Sequence, residues 1–175
     1  MKYLVVLCLP LDPVELATYV VPLNIPIEWT ATATGLINDG GWTISNNGNT
    51  IRFAAKDLLD ESGAENPNTQ TSKATTTFSV EQTVQLTATV SGVGKPFETG
   101  IEKMTVSIDG VEIAMGQLPE LDETPTTCEP VPIEATSKPI LITPGKYNIV
   151  VDFTITDELY HINVYFQTNL AFVAV

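Results

Sequence analysis

The sequence predicts an all-β protein: an antiparallel sandwich of about 8–10 strands, preceded by an extended N-terminal arm. Three observations carry this. Lys146 to Thr156 (KYNIVVDFTIT) places Tyr147, Ile149, Val151, Phe153 and Ile155 at every second position, the pattern of a strand with one buried face. Threonine occurs 24 times, concentrated where apolar residues alternate, and β-branched side chains suit a pleated, half-buried surface. Helix formers never gather into a long run of period 3.6, and the best candidate is only Ala54 to Ser62.

Residues 1–26 read as the arm and 27–175 as a single sandwich domain. Met1-Lys2 followed by Tyr3 to Leu9 imitates a secretion signal. The apolar run is short, however, and ends in Pro10-Leu11-Asp12-Pro13 without a small-x-small cleavage site, so a strand-like arm is expected. Pro22 and Pro26 interrupt the extended stretch that follows, which places it at an edge or outside the sheet. Ile27, Trp29, Ala31 and Ala33 alternate with polar residues as a first body strand. Trp42 and Ile44, then Asn46-Asn47-Gly48-Asn49, then Ile51 and Phe53 predict a hairpin. Asp57 to Lys73 reads as a long polar loop.

The β pattern resumes with Phe78 and Val80, and Val84, Leu86, Ala88 and Val90 share one face of the next strand. Met104, Val106 and Ile108 lead into Asp109-Gly110, the strongest two-residue hairpin signal in the chain, and Val111, Ile113 and Met115 return. Leu118 to Lys138, rich in Pro and acid, reads as a second irregular excursion. Ile140 and Ile142 precede Lys146–Thr156. His161 to Val175 forms the last strand, and the short break between these two long strands predicts that they pair as a hairpin.

Composition narrows the partners. With 8 Lys plus Arg against 21 Asp plus Glu, the net charge of −13 repels phosphate backbones, so no nucleic-acid partner is expected. No run approaches the ~20 apolar residues of a membrane span, so no membrane partner is expected either. Cys8 and Cys128 lie far apart and read as free thiols, with a disulfide as the alternative.

The residues offer no catalytic set, and the expectation is a non-enzyme without cofactor or metal. His161, the only histidine, lies on a strand with no Gly-x-Ser-x-Gly elbow to accompany it. Gly92-Val93-Gly94-Lys95 has Pro96 where a phosphate loop needs Ser or Thr. Asp57, Asp60, Glu61 and Glu65 crowd one loop and Glu120, Asp122 and Glu123 another, but neither run has calcium-loop spacing; they read as solvated.

The apolar ends suggest assembly. A terminal strand of about 15 residues extends about 50 Å and is expected to outrun its own sheet. The expected interface is Tyr3, Leu4, Val5, Val6, Leu7, Leu9 and Leu11 on the arm with Leu170, Phe172, Val173 and Val175 on the last strand. As an alternative, Trp42 beside Asn38, Asp39, Asn46 and Asn47 offers a glycan platform.

Three motifs add a resemblance over residues 74–175. Ser91-Gly92-Val93-Gly94, the Val106-Ser107-Ile108-Asp109-Gly110 hairpin and Thr143-Pro144-Gly145-Lys146-Tyr147 at the start of a long strand are similar to jelly-roll sandwich modules. Small structural proteins of tailed bacteriophages, of the capsid cement, decoration and fibre kinds, carry such patterns, and so do carbohydrate-binding sandwiches. The first resemblance implies a virion structural protein, a homo-oligomer (a trimer) with a capsid or tail protein as partner. The second implies a receptor-binding, extracellular or cell-surface carbohydrate module.

Overall fold

The structure is a computed structural model that describes residues 22–34, 41–55, 70–94, 101–118, 131–156 and 164–175. Two antiparallel sheets form a β-sandwich. The seven-stranded sheet has the order β10 (Ile140–Ile142), β6 (Val84–Gly94), β12 (Val164–Ala174), β4 (Thr50–Ala55), β3 (Gly41–Ser45). Within it β9 (Val131–Thr136) also pairs with β6, and β1 (Pro22–Leu23) with β12. The five-stranded sheet runs β2 (Thr30–Thr34), β5 (Gln70–Val80), β11 (Gly145–Thr156), β7 (Ile101–Ile108), β8 (Val111–Gln117).

Alternation decides which residues face the core. On β6 every second residue from Val84 to Gly94 is buried, and on β11 Ile149, Val151 and Phe153 are fully inside. The two layers meet in an aromatic chain: Trp42 lies 4.9 Å from Phe53, Phe53 4.6 Å from Phe153 and Phe153 5.5 Å from Phe166, ring centre to ring centre. These tilted contacts between large rings anchor one sheet to the other. On another side β8 lies against β6 and β9, and Gly116 permits the approach. A Cβ there would stand 2.7 Å from Val90 Cγ1.

Two local expectations are met with specific geometry. Asp109 and Gly110 both adopt positive φ (47° and 82°), the turn required by a tight hairpin between β7 and β8. The tip is then tied to β11, because Asp109 N–H donates to Asn148 O (2.8 Å) and Asn148 N–H donates to Asp109 Oδ1 (2.9 Å). At the start of β11, the Tyr147 hydroxyl donates to Thr143 O (2.9 Å) and closes the Pro-Gly corner.

Four expectations need correction. β11 and β12 do not pair as a hairpin: β11 lies between β5 and β7, and β12 between β6 and β4, so the chain crosses from one layer to the other between them. Each strand is long enough to fill a central place in its own sheet, and burial on one face selects that over a two-stranded ribbon. β12 does not outrun its sheet either. Tyr165 to Ala174 pair with β6, while β4 and then β1 cover the opposite edge at Val164–Asn169 and Phe172–Val173. Gln70–Lys73, assigned to a polar loop, open β5, whose alternating Ser72 and Ala74 are buried. Val131–Thr136, assigned to an irregular excursion, form β9, and Pro132 is accommodated because that strand lies at a sheet edge.

Candidate functional site

A concavity among the described residues lies where the β3–β4 turn meets the segment before β2. Asn46, Asn47 and Gly48 occupy the left-handed region in succession, with φ of 51°, 53° and 85°. Asparagine tolerates that region better than other side-chain-bearing residues, and glycine freely. Gly48 is also wedged against Ile27, where a Cβ would fall 1.8 Å from the carbonyl oxygen. Two bonds hold the segment to the turn: Ile27 N–H donates to Asn47 O (2.9 Å) and Trp29 Nε1–H to Gly48 O (2.7 Å).

Asn49 organises the rest. Its Nδ2 amide faces three acceptors at 3.0 Å, namely Asn24 Oδ1, Ile25 O and Asn46 O. Its carbonyl accepts Leu170 N–H at 2.8 Å, which fixes the turn to β12. Asn49 Oδ1 is buried and accepts no hydrogen bond among the described residues. A polar relay continues along the outer face: Asn46 Nδ2 donates to Thr50 Oγ1 (2.9 Å), and Thr50 Oγ1 donates to Asn169 Oδ1 (2.9 Å). Gln167 Nε2 also donates to Asn169 Oδ1 (3.3 Å).

The result is an open groove of about 640 Å³, lined by Pro22, Leu23, Asn24, Asn46, Asn47, Asn49 and Leu170 to Val173. Four asparagines supply both donors and acceptors, and the aliphatic residues supply the apolar remainder. None of the described lining residues is charged, in a chain of net charge −13. None of the described residues that line it is a nucleophile or general base at neutral pH. A smaller groove of about 340 Å³ flanks the other side of the segment, between Leu23–Pro26 and Ser79–Val84.

The residues expected to form sites divide as follows. Tyr3, Leu4, Val5, Val6, Leu7, Leu9, Leu11, Asn38, Asp39, Cys8, Cys128, His161 and both acidic loops lie outside the described residues. Leu170 and Phe172 point into the core with 5% and 2% exposure; Phe172 packs 5.5 Å from Phe78, so neither side chain is available to a partner. Val173 is half-buried and Val175 is 78% exposed.

Trp42 does not form a platform with Asn46 and Asn47. It sits on the core-facing side of β3 opposite Phe53, and its Nε1–H donates to Ser72 Oγ of β5 (2.8 Å), bridging the two sheets. Trp42→Phe keeps the ring and deletes the bond, so urea unfolding is expected to show a loss of about 1 kcal/mol. Asn46 and Asn47 are exposed in the groove, joined by Asn24 and Asn49, which sequence reasoning missed. The Asn46–Asn49 run was itself the available signal, since four turn-forming residues with three amides exceed what one hairpin turn needs. Among the described residues no group of three or more His, Cys, Asp or Glu could hold a metal ion, and no helix is long and apolar enough to cross a membrane.

No protein-family model matches the chain, and no curated protein matches it. Among solved structures it is similar to a β-1,3-glucan-binding CBM6 from Bacillus halodurans, at 10% identity and a TM-score of 0.31 over 86% of this chain and 97% of that one. A family 11 carbohydrate-binding module of a Clostridium thermocellum cellulosomal cellulase is similar at 13% identity and a TM-score of 0.21, over 87% and 88%. A CocE/NonD family hydrolase from Staphylococcus aureus follows at 14% and 0.29; the match spans 85% of this chain and 37% of that one. The sandwich architecture rests on this chain's own strand pairing.

Proposed function

We propose that the chain is a non-catalytic carbohydrate-binding sandwich whose amide groove takes a neutral glycan. The observation that supports this is the lining: four asparagines and no charge, on the surface of a strongly acidic protein. A sugar hydroxyl is both donor and acceptor, as is a primary amide, and the apolar face of a pyranose ring fits against Pro22 and Ala171. Acidic glycans would meet a repulsive field, so neutral ones are favoured, and their binding should vary little with salt.

A glycan array carrying neutral and acidic oligosaccharides tests the reading. The wild-type chain is expected to bind neutral members, and Asn47→Gly, which removes an exposed amide without straining the positive φ of 53°, should weaken that binding about tenfold or more without altering the fold. An array on which no neutral glycan is retained overturns it.

A structural role by assembly, of the virion cement or fibre kind, is favoured by a different observation: the exposed apolar pair Leu141 and Val175, 62% and 78% accessible at one end of the seven-stranded sheet.

A further inference from the structure

We propose that the glycan is a linear chain gripped along its length and not by one end: it passes over Asn24 into the smaller groove, where Glu81 and Gln82 take its further rings. This rests on the reading of the amide groove as a glycan site. The two grooves lie on opposite sides of one segment, and Leu23 and Asn24 line both. That segment is a low divide. Leu23 and Ile25 are half-buried and pack on the core, so the exposed Asn24 and Pro26 form its crest. The pairing of Leu23 with Phe172 and the bond from Ile27 N–H to Asn47 O hold the backbone at this height.

Asn24 serves both sides. Its Oδ1 accepts Asn49 Nδ2 at 3.0 Å, toward the larger groove, while its own Nδ2 donates no hydrogen bond among the described residues. Two N–H groups at the crest are therefore ready for a hydroxyl. The smaller groove suits the same ligand. It sets Leu23, Ile25 and Pro26 beside Ser79, Glu81 and Gln82, all three exposed and without a hydrogen bond or ion pair from their side chains among the described residues. Hydroxyl and amide both donate and accept, and the carboxylate accepts hydroxyl protons and repels an anion, so the preference for a neutral chain extends along the whole path.

Register gives the length of that path. β12 runs antiparallel to both β4 and β6, with Asn169 opposite Thr50 and Ala174 opposite Val84. The amide turn just before Thr50 and the Glu81-Gln82 link just before Val84 therefore fall at the same end of the sandwich. Two strand spacings of ~4.8 Å across and five residues of ~3.4 Å along separate Thr50 from Val84, roughly 20 Å in all. That is several times the width of one sugar ring. No single ring reaches both ends, and a chain of several rings does.

Calorimetric titration of the full chain with β-linked glucose, mannose and N-acetylglucosamine series, each from monosaccharide to hexasaccharide, tests this. In a series that binds, the hexasaccharide is expected to bind about tenfold or more tightly than the disaccharide. The double variant Glu81→Ala, Gln82→Ala, at exposed turn positions, should remove most of that gain and leave disaccharide binding and circular dichroism unchanged, whereas Asn47→Gly should weaken both sugars. Equal affinity for disaccharide and hexasaccharide, or a double variant that keeps the full gain, overturns this inference and leaves the amide groove as a glycan site. Absence of binding by every member of the three series overturns both.

Discussion

Gly48→Ala is expected to destabilise the protein by about 3 kcal/mol or more, because overpacking against backbone and the loss of local hydrogen bonds act together. The new Cβ would lie 1.8 Å from Ile27 O and 2.6 Å from Ile27 C, and neither atom can rotate aside as a side chain would. Relief requires moving the 24–29 segment off the turn, which breaks Ile27 N–H to Asn47 O and Trp29 Nε1–H to Gly48 O. The positive φ of 85° adds strain of its own. Gly110→Ala is the control. Its φ is nearly the same at 82° but nothing lies within 4 Å, so only the backbone strain of about 1 kcal/mol remains. Urea unfolding of the two variants should separate packing from conformation, and equal losses would show that the wedge against Ile27 is not what holds the turn.

Phe153→Ala should cost about as much or more, roughly 3–5 kcal/mol, from lost burial plus the cavity left behind. Phe153 is fully buried on β11 and touches rings on two strands of the opposite sheet, Phe53 at 4.6 Å and Phe166 at 5.5 Å. Removing it opens the centre of the aromatic chain that joins the layers, where rigid strands on both sides limit collapse. A chain of this size should then melt on the order of 10 °C lower, since each kcal/mol shifts the midpoint by a few degrees. A loss below about 1 kcal/mol would mean that the layers are held elsewhere.

The strands of the sandwich were legible in the sequence wherever alternation was strong. Tyr147 to Phe153 and Val84 to Val90 follow a period of two because each has one face in the core. Their partners were not legible. Alternation states which face of β11 is buried, but a short link to β12 serves equally for a hairpin within a sheet and for a crossing between sheets. The core decided for the crossing. β9 escaped for a related reason: as an edge strand with alternate residues exposed, its Pro132 and Glu134 resemble loop composition.

The site was half legible for physical reasons of the same kind. Asn46 and Asn47 announce a turn, and their place in a groove depends on contacts with Asn24 and β12, far away in sequence. Trp42 misled because its spacing fits a core position and a platform alike. Only the neighbouring Phe53 ring and the Ser72 hydroxyl decide between them.

The most direct measurement of the glycan-binding account is a titration of the isotope-labelled protein with a neutral oligosaccharide, followed by the side-chain amide and indole resonances. The Asn24, Asn46 and Asn47 amides are expected to shift on saturation, while the Trp42 indole, held by Ser72, stays in place. Shifts centred on Trp42, or amide resonances that do not move at any sugar concentration, would contradict it.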